Sequence, residues 1–364
     1  MNLASTAFGA LLAETARPMS LIDSIQTVTQ AARIDMTEHE IWLIQNAAED
    51  APGILFESYG QLIGMMERSA MGQEHHIVVR WPLSSEFLER ASHLGPQHAG
   101  WLELMNAEIA KVTRRLNRSK LGSARPLTAR ELTAVIRHMQ MPSWPRGDLS
   151  GIDPDEIGLP YDEGARSYVV TEDLNPQGEV EQWLHRTAEV TAKRLESEQF
   201  DALWLMPILS ALPEQIQRTV STHITTRPAG AARRDARYDL TLDTAEMREQ
   251  RRKGQILDDT LNAEHKAAQV RHMDLRPNTG IQGAGWAMHI TISARSLPEL
   301  RKARDIITQG CSDAGIASLD WLDSHHGAAM SWTWPIGRGM TMYKPTATAR
   351  MLSTLSARDQ GDSL

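Results

Sequence analysis

Two histidine pairs, His75-His76 and His325-His326, are the residues of this chain best suited by type to metal ligation or proton transfer. Neighbouring residues in a strand point to opposite faces, so neither pair closes on one ion through both rings. A metal would need further ligands from distant segments, and the sequence contains no HExxH and no paired-cysteine spacing. The one cysteine, Cys311, falls in a stretch of helical periodicity where core packing is its expected role, and no Gly-x-Ser-x-Gly elbow exists. Gly280, Gly283 and Gly285 resemble a fragment of a dinucleotide loop. They precede a strand pattern, however, whereas a phosphate loop follows a strand and opens a helix. Gly337-Arg338-Gly339 is too short for such a loop and reads as a tight turn needing glycine's freedom in φ. Asp258-Asp259 sit among charges of both signs, where a solvated face explains them better than acid–base catalysis. The residues therefore nominate no catalytic group, no metal ligand and no cofactor.

One patch does stand out. Lys111, Arg114, Arg115, Arg118, Lys120, Arg125 and Arg130 follow one another between Ile109 and Arg130 with no acidic residue among them. The chain as a whole has 46 acidic against 38 basic side chains and would repel nucleic acid or an anionic membrane, so any phosphate binding must be local. Arg114, Arg115 and Arg118, at i, i+1 and i+4, cluster on one side of a helix. DNA phosphates, anionic lipid headgroups or an acidic partner would each fit the stripe. The competing reading is a solvated face neutralised by acids from elsewhere in the fold. The absence of interleaved aromatics argues against stacking on single strands.

The elements that must position these residues read as alternating strands and helices. The expected strands are 20–30, 75–83, 165–173, 216–227, 285–294 and 315–322. Helices are expected over 5–17, from a capping box of Thr37 and Glu40, over 52–70, through Leu102 to Leu116, and from a second box of Thr128 and Glu131. Residues 200–212 predict a helix broken by Pro207, and Ser296 with Glu299 opens a helix running to Cys311. Residues 229–276 are helical in period but crowded with charge, with Gly254 as a bend, so they predict an arm that projects into solvent or clasps a partner. The expected class is α/β (α+β): two ferredoxin-like lobes, 1–141 and 165–345, joined by a Pro/Gly-rich linker 142–164. The helical arm 229–276 is inserted in the second lobe, and 346–364 forms a flexible tail. In the busiest stretch, His325 to Met330 predicts a short helix with the histidines at its boundary, followed by Trp332 and Trp334 covering the sheet. With 364 residues, 41% apolar and 23% charged, the chain suits an ordinary globular protein. It has no apolar run near the roughly 20 residues of a membrane span and no signal-peptide pattern at its start. Its cysteine usage suits a reducing cytoplasm.

Several segments together resemble a known family: "FGALLAETARPMSLIDSIQTVTQ", "ARPLTARELTAVIR", "DEGARSYVVTEDL", "AARRDARYDLTLDTAEMREQRRKGQ", "GWAMHITISARSLPELRKARD" and "LDWLDSHHGAAMSWTWPIGRGM". They are similar to actinobacterial conjugation-associated proteins of type IV secretion-like machines, in the non-motor N-terminal region of TrbE/CagE-type transfer ATPases. The resemblance spans most of residues 8–340 in loose, hydrophobic-pattern motifs, and it supplies no catalytic residues. It implies a non-enzymatic assembly component, peripheral at the cytoplasmic face of the membrane, with a transfer ATPase and a channel protein as partners. The alternative is a nucleic-acid-binding accessory protein of a mobile element that uses the basic stripe. Family members usually begin with transmembrane helices and a β-rich segment, so this chain resembles a soluble portion or a shortened version. On that view the strand 20–30 is expected at an open sheet edge.

Overall fold

Two long stretches of alternating β-branched and polar residues, 24–33 and 217–227, become neighbouring strands at the centre of the molecule. The computed structural model describes residues 2–338 except 18, 34–35, 48–51, 70, 119–122, 146–147, 153–167, 192–193, 196–203, 210–215, 254–258, 277–280 and 324. The first part of the chain forms α1 (Asn2–Thr15), β1 (Ser24–Arg33), α2 (Thr37–Asn46), α3 (Gly53–Ser69), β2 (Met71–Arg80), α4 (Ser85–Ser92), α5 (Gln97–Arg118) and α6 (Ala129–Gln140). The second part begins with β3 (Val169–Leu174), β4 (Val180–Val190), α7 (Met206–Leu209), β5 (Gln217–Arg227), α8 (Ala229–Arg252) and α9 (Asp259–Asp274). It ends with β6 (Gly283–Ala294), α10 (Leu297–Asp313), β7 (Asp320–Trp321), α11 (His326–Met330) and a 3-10 turn at Ser331–Thr333.

The protein is of the mixed α/β class, built on an antiparallel seven-stranded sheet in the order β2-β1-β5-β6-β4-β3, with β7 pairing β4. Strands from both expected lobes join this one sheet, because β1 pairs β5 from Ser24↔Thr225 to Ala31↔Arg218. The four strands β2-β1-β5-β6 have a two-fold pattern. Each central strand runs into a pair of helices, returns as its antiparallel neighbour, and is followed by a helix with a serine N-cap, Ser84 or Ser296. Because β1 and β5 are antiparallel, the two helical pairs, α2–α3 and α8–α9, leave the sheet at opposite ends.

The two faces differ in chemistry. On β6, Met288, Ile290, Ile292 and Ala294 face α10, where they pack with Val220, Leu300, Ile307 and Cys311. Each fully buried isoleucine there is worth roughly 1.5–3 kcal/mol of transfer free energy. The opposite face presents Gln26, Ser221, His223, His289, Thr291, His185 and Thr187, all buried under α6, α11 and the 3-10 turn. At one corner the buried guanidinium of Arg218 donates to the carbonyls of Ile208 (2.7 Å), Ile216 (2.9 Å) and Leu209, fixing α7 to β5. Burial pushes its pKa down to about 10.

Several expectations need correction. The strand over 24–33 is interior, and the sheet edges are β2 on one side and β3 with β7 on the other. Thr37 is the first helical residue rather than a cap, since Met36 holds the N-cap position with no side-chain capping bond. His75-His76 lies within β2 rather than at its entrance. β4, which pairs with β3, β6 and β7, has no counterpart among the expected strands. By contrast the Thr128–Glu131 capping box is present in both directions. The tail 346–364, Gly254 and the greater part of the linker 142–164 lie outside the described residues.

Where α4 and α5 meet, a Cβ on Gly100 would collide with the backbone carbonyls of Ala91 and Gly95. Gly100→Ala must push the two helices apart, an overpacking cost of roughly 1–3 kcal/mol. Urea denaturation is the measurement, and an unchanged midpoint would contradict this contact.

Candidate functional site

The segment 321–338, with two histidines, three tryptophans and a tight turn, closes the polar face of the sheet. Gln26 of β1 is its anchor. Its Nε2 donates to Ser221 Oγ (2.8 Å) and to the carbonyls of Trp334 (2.8 Å) and Trp332 (3.1 Å), and its Oε1 accepts from the Gly337 amide at 2.7 Å. Gly337 takes φ +69°, the left-handed conformation the turn requires of glycine. Trp334 packs against Val28, Ile136, Met139 and Met330.

Around this anchor the hydrogen bonds fix the histidine tautomers. Thr171 gives its hydroxyl proton to the Gln140 carbonyl (2.6 Å), so it accepts from His185 Nε2–H (2.8 Å) and Ser293 must donate to His185 Nδ1 (2.8 Å). His326 is fully buried: its Nδ1 accepts the Thr187 amide at 3.1 Å and its Nε2 donates to Asp323 at 3.0 Å. His223 Nε2 donates to the Trp332 carbonyl at 3.0 Å. Three hydroxyls form a one-way chain, Thr187 to Thr291 (2.9 Å) to Thr333 (3.0 Å) to the Met330 carbonyl (2.8 Å). His289 packs edge-on against His223 and Trp332, and its Nδ1 is a buried atom with no hydrogen-bond partner. Burial drives the pKa of His185 and of His289 down to about 3, and lowers that of His223. Ser221 and His223 touch at 3.2 Å, but Ser221 is completely buried and meets no substrate. His185, His223 and His326 serve as internal hydrogen-bond partners, and His289 is held by ring contacts.

The remaining chemical candidates resolve in the same direction. His75 Nδ1 meets Thr29 Oγ1 at 3.1 Å and His76 lies 3.6 Å from Glu74, on opposite sides of β2. Among the described residues no group of three His, Cys, Asp or Glu side chains is placed to hold a metal ion. Burial pushes the Cys311 thiol up to about 12, which keeps it protonated. Gly283 and Gly285 are part of β6. No helix among the described residues is long and apolar enough to cross a membrane.

The basic stripe divides. Lys111 leans toward Glu108 (3.4 Å), Arg125 pairs with Glu131 (2.7 Å), and Arg130 donates to the Leu149 carbonyl (2.8 Å). Arg115 donates to the Ala10 carbonyl at 3.1 Å, which ties α5 to α1. Lys120 lies outside the described residues. Lys111, Arg114, Arg115 and Arg118 together line an open depression of about 330 Å³. Among the described residues the acids that reach into the stripe are Glu108 and Glu131, which flank it in sequence.

One surface escapes a reading by residue chemistry alone. On α2 and α3, Ile41, Trp42, Ile44, Ile54, Leu55 and Leu62 are all exposed, Ile44 to 74% and Ile54 to 72%. The two helices touch through His39 Nε2 and Tyr59 OH at 2.7 Å. Exposed apolar clusters of this kind mark interaction surfaces. The periodicity of 52–70 identifies the helix, but it does not say whether its apolar side meets a core or a partner. The α8–α9 pair differs: Ala232, Ala236 and Ala268 are buried, Arg233 donates to the Leu275 carbonyl at 2.7 Å, and Arg234, Arg237 and Arg248 are exposed.

Compared with known proteins, the chain matches no family model and no curated protein.

Replacing Gln26 by Leu leaves the Gly337 amide without its acceptor and takes one donor from each of the Trp332 and Trp334 carbonyls, which keep His223 Nε2 and the Ile336 amide, at roughly 1–3 kcal/mol for the orphaned amide. The expected result is a loss of about 1–3 kcal/mol in urea denaturation, with hydrogen exchange at Gly337 accelerated before the rest of the sheet. His185 and His289 also set a pH dependence. Their folded-state pKa values lie below the unfolded value, so their stability is complete above pH 6.5 and is lost as pH falls from there toward 3. Each costs up to about 1.4 kcal/mol per pH unit in that window. Melting temperatures from pH 7.5 to roughly 5 check this, and His289→Gln should flatten the profile.

Proposed function

We propose that this chain is a non-enzymatic assembly component of a conjugative, type IV secretion-like DNA-transfer apparatus, peripheral at the inner face of the membrane. The observation that carries the reading is two helical arms leaving opposite ends of one sheet, with the polar side chains between them engaged in internal hydrogen bonds. Such a molecule suits joining two partners. The α8–α9 arm supplies an exposed charged surface, and the family resemblance names a transfer ATPase and a channel protein as its counterparts. Charged surfaces of this kind set partner choice and association rate.

In a tagged chain produced from its own locus, Arg234→Glu, Arg237→Glu and Arg248→Glu together should cut recovery of the ATPase or channel protein about tenfold. That is the effect of losing about 1.4 kcal/mol of binding. Transfer frequency should fall in parallel while the melting temperature holds. Undiminished recovery and transfer would overturn the reading.

The open depression lined by Arg114 and Arg118 favours a second reading, a nucleic-acid-binding accessory protein. A salt-dependent gel shift of duplex DNA at near-physiological ionic strength, lost in the Arg114/Arg115/Arg118→Glu variant, would support that reading over the first.

A further inference from the structure

The α2–α3 segment is also acidic in sequence: residues 37–69 hold Glu38, Glu40, Glu49, Asp50, Glu57 and Glu67 against the single cation Arg68, and of these Glu40 and Glu57 are described and exposed. Anionic headgroups and phosphates would repel such an arm. Its complement is an apolar hollow rimmed by cations, and this chain has one. Leu11, Ile22 and Val112 wall a depression of about 180 Å³ whose rim carries Arg17, Lys111 and Arg115. It adjoins the larger depression of Arg114 and Arg118, with Lys111 and Arg115 common to both. Lys111 faces Glu108 and Arg115 holds the Ala10 carbonyl, so the exposed cations offered to an incoming acid are chiefly Arg17, Arg114 and Arg118.

Position decides which copy fills the hollow. The arm leaves from the Arg33–Met71 end of the β1–β2 pair. The hollow lies at the other end of β1, where Thr15 Oγ1 is 2.6 Å from Thr226 Oγ1 at the end of β5. About 30 Å of strand separates them, so the arm does not occupy the hollow of its own molecule. We infer that the acidic apolar α2–α3 arm of one copy seats in the basic-rimmed hollow between α1 and α5 of a second copy, head to tail. A contact of this type joins two different patches, so repetition closes a ring or extends a filament. The inference goes beyond the assembly reading and does not depend on it, since the pure chain is sufficient to test it.

Sedimentation velocity of the full chain over roughly 1–100 µM should show a concentration-dependent rise in size that weakens with added salt. Trp42→Gln with Ile54→Gln, and separately Arg17→Glu with Arg114→Glu and Arg118→Glu, should each give a monomer with the parent's melting temperature. The decisive arm mixes the two variants. One retains a working hollow and the other a working arm, so together they should form a dimer and nothing larger. A chain that stays monomeric throughout overturns the inference, as does association unchanged by either variant or a mixture that remains monomeric. Monomers that bind phosphatidylglycerol vesicles through Trp42 and Ile54 would instead assign the arm to a membrane.

Discussion

Gln26 lies at the point where the two ends of the described chain meet. Its carboxamide offers donors and an acceptor to a segment more than three hundred residues later, and in doing so it joins β1 to β5 and both to the closing turn. A side chain of this kind can be satisfied only if Ser221, Trp334 and Gly337 all arrive, so it specifies one arrangement of the cover over the sheet. An apolar residue at the same place would pack but would not fix the position of the turn. The polar face is therefore held by complementarity of donors and acceptors, while the other face is held by isoleucine and leucine packing on α10.

This division explains which elements were legible in the sequence. β6 alternates a fully apolar side with a Ser/Thr/His side, and β5 is rich in β-branched residues, so both still read as strands, and α6 and α10 announce themselves through their capping residues. β4 hides because "VEQWLHRTAEV" puts His185 and Thr187 where a strand pattern expects Val or Ile. Those positions are buried, but against hydroxyls and a histidine of the cover, so burial leaves no hydrophobic trace. His326 was visible as a boundary residue of α11, and its role in holding the Thr187 amide was not, because the partner is a backbone group.

The surfaces were legible in unequal measure. The stripe from Lys111 to Arg130 is plain in the sequence, yet Glu131 claims Arg125 and a backbone carbonyl claims Arg130, so its electrostatic reach contracts to the α5 end. The α2–α3 arm shows the converse. Its Trp, Ile and Leu residues look like core residues in any one-dimensional pattern, and only the path of β1 and β2 shows that nothing in the described fold lies over them.

The sheet order has a consequence for how the molecule is made. β1 leaves the ribosome well before β5, yet its inner flank is hydrogen-bonded by β5, which begins at Gln217, roughly 180 residues after β1 ends. At common elongation speeds that is a wait of about 10–40 seconds. For that interval a β-rich ribbon of β1 and β2 carries one unzipped side, so the nascent chain is most vulnerable to wrong pairing between the synthesis of β2 and that of β5.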